Sequence, residues 1–227
     1  MRLRRVGGVA GPFAPRLAGD LTEVDAGRVS GEPDWSRLDV RGDASGLVAD
    51  HLDVAECRLA GVQLTGADLT ALRLTDTLAE DCELSGAVLH DASLARVEFR
   101  NCRMSGVQLP GAQLRDVRFT ACKLDGANFR MTAGGRVQFD ASVLAAAEFY
   151  AAKLEEVRFF DCDLSGAEFS GAEVRGARLH GSTLDGVRGA RHLEAVVIDS
   201  GQMLPFAERL FAALGITVDD DRDPPGP

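Results

Sequence analysis

The sequence predicts an all-β fold: a right-handed quadrilateral parallel β-helix, a solenoid of about seven coils, closed by a short C-terminal α-helix. Three observations predict it. From Val54 to Leu184 every fifth residue is apolar, and of these 27 positions only Ala79 and Gly134 lack a large side chain. Two residues before each stands mainly Ala, Val, Cys, Ser or Thr, with Leu52 and Leu72 the only large exceptions. Like residues also recur at steps of twenty: Phe99, Phe119, Phe139 and Phe159; Phe129, Phe149 and Phe169; Val97, Val117, Val137 and Val157.

Period five fits neither an amphipathic helix, which needs 3.6, nor a long strand, which needs two. A small and a large residue two apart point to one side of an extended chain, and the other residues of the unit make a corner. Glycine at Gly66, Gly86, Gly106, Gly126 and Gly166 suits that corner, because it adopts positive φ without cost to a side chain. Four such sides per twenty residues close a square coil. At the usual inter-strand spacing the rod is on the order of 30–35 Å long, and parallel crossovers wind right-handed.

The elements follow in order. Residues 1–45 lose the period and are expected to form an N-terminal cap, partly disordered, with Trp35 and Leu38 over the lower end. Met1-Arg2-Leu3-Arg4-Arg5 is basic, but Gly7, Gly8, Gly11, Pro12 and Pro15 interrupt any apolar signal segment, so this start is read as disordered. Residues 46–190 form the β-helix. Within it, the loss of a large residue at Gly134 predicts a bulge or cavity in one wall rather than a loop that meets a partner. Residues 191–216 hold a last strand at Val196-Val197-Ile198. A helix follows, with Asp199 or Ser200 as its N-cap, Pro205 in its first turn and Gly215 ending it. Its apolar stripe is Phe206, Leu210, Phe211 and Leu214, which caps the top coil or pairs two copies into a homodimer. Residues 217–227 are an acidic, Pro-rich tail expected to be disordered.

The repeats Gly66-Ala67-Asp68-Leu69-Thr70, Gly126-Ala127-Asn128-Phe129-Arg130 and Gly166-Ala167-Glu168-Phe169-Ser170 resemble the bacterial pentapeptide-repeat family, whose members include the Qnr- and MfpA-like proteins. The resemblance implies a right-handed quadrilateral β-helix without catalytic activity. It also implies that some relatives mimic DNA, bind DNA gyrase, a type II topoisomerase, and protect against quinolones, and that gyrase-binding members dimerise through C-terminal elements. The motif builds the fold and carries no functional residue over.

Net charge is −10 and the isoelectric point about 4.9, which argues against direct binding to nucleic acid or to an anionic membrane. No apolar run is long enough for a transmembrane helix. All five cysteines (Cys57, Cys82, Cys102, Cys122, Cys162) occupy the small inward position, so they read as compact apolar fillers of a cytoplasmic protein. No His shares those positions, and His51, His90, His180 and His192 are scattered; no metal, cofactor or catalytic residue is assigned.

Summed by wall, the outward charges come to −2, −2, 0 and +1, and residues 51–190 carry −5 of the chain's −10. B-DNA carries one negative charge per about 1.7 Å, so a mimic of this length needs around twenty. The function expected is therefore a non-enzymatic protein-interaction or scaffold module whose partner the sequence does not name. The alternative is a DNA mimic that binds gyrase and modulates quinolone sensitivity, with the local patch Glu80, Asp81 and Glu83 as its strongest acidic feature.

Overall fold

A computed structural model describes residues 10–218 of the 227-residue chain. A single parallel sheet of eleven strands wraps into a solenoid. Its best-formed strands are β6 (Arg73–Glu80), β7 (Ser93–Arg100), β8 (Gln113–Thr120) and β9 (Ala133–Asp140). Each is eight residues long and folds around a corner, where Asp76, Arg96, Asp116 and Arg136 take positive φ. The other two sides of each coil pair through single bridges, as in Glu83 with Arg103 and Val88 with Gln108. Register advances by twenty: Val97 pairs with Val117 and Val117 with Val137. The square coil read from the sequence is the coil observed.

The interior is filled. Phe99, Phe119, Phe139 and Phe159 stack with centroids 4.8–5.0 Å apart, and so do Phe129, Phe149 and Phe169. The two ladders meet edge to face, as between Phe119 and Phe129 at 6.3 Å. All five thiols are buried. Each Sγ donates to the carbonyl two residues back, and Cys82, Cys102, Cys122 and Cys162 also reach the coil below. Ser142 takes the same place in the column, donating to Phe119 O and Asp140 O. Where Ala79 interrupts the large residues, an apolar void of about 20 Å³ is left beneath Phe99, with Trp35 and Leu59 also lining it.

The structure corrects four expectations. The sheet does not stop near residue 46: β1 (Thr22–Asp25), β2 (Asp34–Ser36) and β3 (Leu38–Arg41) continue it downwards. Trp35 pairs with Val54 of β4 (Asp53–Ala55), and Val40 pairs with Leu59 of β5 (Arg58–Ala60). Trp35 is buried inside the lowest full coil, its Nε1 donating to Val29 O of the short helix α1 (Ala26–Val29). At the top, Val196-Val197-Ile198 is not a strand; only Val197 pairs, with Arg178, beyond β10 (Lys153–Glu155) and β11 (Arg158–Phe160).

The terminal helix α2 (Met203–Leu214) has Gln202 at its N-cap position, without a side-chain cap. Asp199 instead closes the preceding turn, accepting from Gly181 N, Gly201 N and Gln202 N. Gln202 stands twenty residues after Ser182 and extends the Cys/Ser column, donating to the carbonyls of Leu179 and Ser182. Finally, of the bulge or cavity expected at Gly134 there is no bulge, since β9 keeps full register with β8 and β10, while an open depression in the wall is lined by Gly134 and Gly135. The Gly134 backbone lies so close to Leu114 that an added Cβ would collide with the Leu114 carbonyl. The expected acidic tail lies outside the described residues from 219 on.

Candidate interaction surfaces

With the inside sealed, the chemistry of this protein lies on its walls, its corners and the two segments that leave the coil. The outward side chains stand in columns one strand spacing apart, so each charge meets its neighbours twenty residues away. At the first corner the column alternates in sign. Arg96 grips Asp76 through two bonds of 2.6 and 2.5 Å, and Arg136 grips Asp116 at 2.6 and 2.8 Å. Both carboxylates are almost fully covered, and the bidentate guanidiniums hold them below the ordinary carboxylate range.

Asp81 and Glu83 line one open depression together with Arg103 and Lys123, and Glu80 is not among its lining residues. Glu80 sits between Arg58 and Arg100, bonded to both. Asp81 occupies the next corner at positive φ and accepts from Asn101 Nδ2 at 2.5 Å. Glu83 lies around that corner, accepting from Ser85 N and paired in register with Arg103. The same coil-to-coil neutralisation joins Lys153 to Glu173 and Arg188 to Glu168. Sequence proximity did not show that basic and amide side chains of the neighbouring coils stand beside each of these acids.

On α2, Phe206 packs partly against the top coil, and Leu210 is half-covered. Phe211 and Leu214 face solvent, joined by Met203, Leu204, Ile216 and Val218. The stripe thus divides: one edge seals the solenoid and the other is an exposed apolar face.

One surface was missed from the sequence. The segment Ala10–Arg16, expected to be disordered, lies along the rod as a strap. Arg158 Nη2 donates to Ala10 O at 2.7 Å, Phe13 N donates to Asp116 Oδ1 at 3.2 Å, and Arg16 N donates to Asp76 Oδ1 at 3.1 Å. The Phe13 ring lies under the Arg136 guanidinium, 5.3 Å from its centroid. From Asp76 to Arg158 is four strand spacings, about 19 Å. Six residues of extended chain span about 20 Å, so the strap runs nearly straight, descending as the solenoid climbs. Burial and the neighbouring Arg178 and Arg118 push the Arg158 guanidinium down from its ordinary value. No sequence signal marked the strap, because apart from the Phe13 ring its contacts are made by main-chain atoms that any residue carries.

The thiols are buried but not alike, for the hydrogen bond from Cys102 lowers Cys122 below its ordinary value. Burial pushes Cys162 up to about 12, and its neighbour Cys122 pushes Cys102 up to about 12. Among the described residues no group of His, Cys, Asp or Glu is arranged to hold a metal ion, and no helix is long and apolar enough to cross a membrane.

A model of the pentapeptide repeat region matches residues 52–129 and 112–188, together more than half of the chain. No curated protein matches it. Among solved structures, the chain is similar to full-length QnrB1, a plasmid-mediated fluoroquinolone resistance protein: 24% identity over 86% of this chain and 96% of that one, TM-score 0.49. It is also similar to HetL, a pentapeptide repeat protein involved in heterocyst differentiation regulation from the cyanobacterium Nostoc: 19% identity over 75% and 91%, TM-score 0.37. A third likeness is to Rfr23 from the cyanobacterium Cyanothece, at 18% identity over 61% and 88%, TM-score 0.21.

Proposed function

The chain belongs to the pentapeptide-repeat family, and from that membership we propose that it is a non-enzymatic interaction module of the cytoplasm, presenting its walls and ends to a protein partner. One observation carries the reading: the interior is a continuous column of stacked rings and small side chains, so every group able to recognise anything lies outside. Catalysis needs a nucleophile, a base and an orienting group converging in a recess. The depressions on the walls are open to solvent, and the void beneath Phe99 is smaller than a substrate. Regular walls of mixed charge suit a polar, partner-specific interface, where placed charges set orientation and encounter rate.

The exposed face of α2 supports a two-fold homodimer, with Leu204, Phe211 and Leu214 of one copy against those of the other. Such a dimer doubles the length of wall on offer.

The DNA-mimic reading makes gyrase the partner. A mimic must present unpaired negative charge at nearly the phosphate density. Here Asp76, Glu80, Asp116 and Glu168 are each engaged by an arginine, which favours the general module over the mimic. Gyrase supercoiling assays with the purified protein decide between them. No inhibition at low micromolar protein, with a different partner retrieved by cross-linking and pull-down, is the expected result; clean inhibition replaces the module by the mimic.

A further inference from the structure

The strap over residues 10–16 is held in a manner unlike the rest of the fold. No apolar side chain of Ala10–Leu21 is buried, and Phe13 is 59% exposed. What fixes it is a set of main-chain contacts at intervals of three residues, with Arg158 to a carbonyl and Asp116 and Asp76 to N–H groups, together with one aromatic ring under one guanidinium. Beneath it, Glu98, Gln138, Arg158, Asp76 and Asp116 are nearly covered. Segments with few buried apolar contacts open at a small fraction of the global unfolding free energy. The residues that hold the strap stand on β6 to β11.

We propose that this corner groove is a binding site for extended peptide, that the N-terminal segment is its resident ligand, and that the protein partner inserts a segment of the same kind: extended, carrying one aromatic residue, and antiparallel to the rise of the solenoid. The chemistry of the groove defines the class. Carboxylates three residues apart along the ligand accept its N–H groups, Arg158 takes a carbonyl, and Arg136 takes an aromatic face. A nucleic acid backbone offers no row of N–H donors to Asp76 and Asp116. The inference rests on the interaction-module reading and names the partner's chemistry.

A tether as short as Leu17–Leu21 holds the strap at an effective concentration of about a millimolar. A seated strap therefore requires that the free segment bind with a Kd below about 1 mM. The test folds the full chain with a protease site inserted between Ala18 and Gly19, cuts it, and follows the released fragment by native mass spectrometry. A fluorescent peptide of residues 10–18 is then titrated by anisotropy. Saturable exchange below that Kd is expected. A peptide carrying Phe13→Ala should bind about fivefold more weakly, and the peptide of reversed sequence should not compete. Because these changes sit on the peptide, folding of the protein is not at stake.

The proposal fails if the peptide does not bind, if Phe13→Ala or the reversed peptide binds equally well, or if an oligonucleotide displaces the fragment more effectively. Excess peptide should also compete with the partner retrieved by pull-down. A partner that binds the cut protein regardless of peptide leaves the interaction module standing and removes the groove as its site.

Discussion

Replacing Phe119 by Ala should be among the costliest single changes in this protein, and more costly than the same change at Phe99. Phe119 is fully buried, stacked on Phe99 at 5.0 Å and on Phe139 at 4.8 Å, with Phe129 edge-on at 6.3 Å. Phe99 stacks on Phe119 alone and borders the void left by Ala79. A buried Phe→Ala substitution costs about 3–5 kcal/mol, the upper figures belonging to sites that cannot collapse. Each aromatic pair adds about 0.5–1.5 kcal/mol beyond area. Phe119→Ala loses three such pairs and Phe99→Ala one, so the first should lie near 5 kcal/mol and the second near 3 kcal/mol, both about. The assay is guanidinium unfolding read by far-UV circular dichroism and by Trp35, the chain's one tryptophan, which lies several coils below Phe119. If the two probes shift together, the rod unfolds as a unit; if only the dichroism moves, coils above Trp35 melt first, as nearest-neighbour repeats allow. A smaller cost at Phe119 than at Phe99 would refute the argument from ladders.

Gly134→Ala should destabilise by about 1–3 kcal/mol despite adding only a methyl group, since the Leu114 carbonyl stands where the Cβ must go; an unchanged melting temperature would contradict this. Stability should fall on acidification: Asp76 and Asp116 have folded values below the ordinary 3.8, so their contribution is full above that pH and disappears as pH drops through the lower folded values. Asp116→Asn should flatten this acid limb in a pH series of denaturation midpoints, and an unaltered limb counts against the ion pair as its source. Phe211→Asp should convert a concentration-dependent dimer to a monomer in sedimentation velocity, with secondary structure retained; identical sedimentation of variant and parent rules out pairing through α2.

The interior was legible because a solenoid repeats one packing problem, so each solution recurs in the sequence at the period of the coil. The ladders of Phe119 and Phe129 were read from steps of twenty, and the burial of all five thiols from the small inward position. The ends were misread for a specific reason. Trp35 pairs with Val54, Val40 with Leu59 and Arg178 with Val197, each a step of nineteen. Dropping one residue shifts the comb of fives, so below Val54 it strikes Asp39 and Asp34 where Val40 and Trp35 face inward, and above Leu184 it misses Leu193 and Ile198. The coil had not ended; its phase had moved.

The outside obeys weaker constraints, and its partners were legible only where geometry ties them to the same period. Asp76 with Arg96 and Asp116 with Arg136 are such cases, since twenty residues set two side chains one strand apart. The strap has no period at all. Yet its place follows from the same corner: a carboxylate buried by its arginine keeps an acceptor to spare, and at Asp76 and Asp116 alike that acceptor takes a main-chain N–H of the strap, from Arg16 and from Phe13. Two identical acceptors two coils apart select an extended chain whose donors are three residues apart, about 10 Å in length. The repeat that builds the core thus also spaces the sockets on its surface, and a ligand matched to that spacing can bind by its backbone.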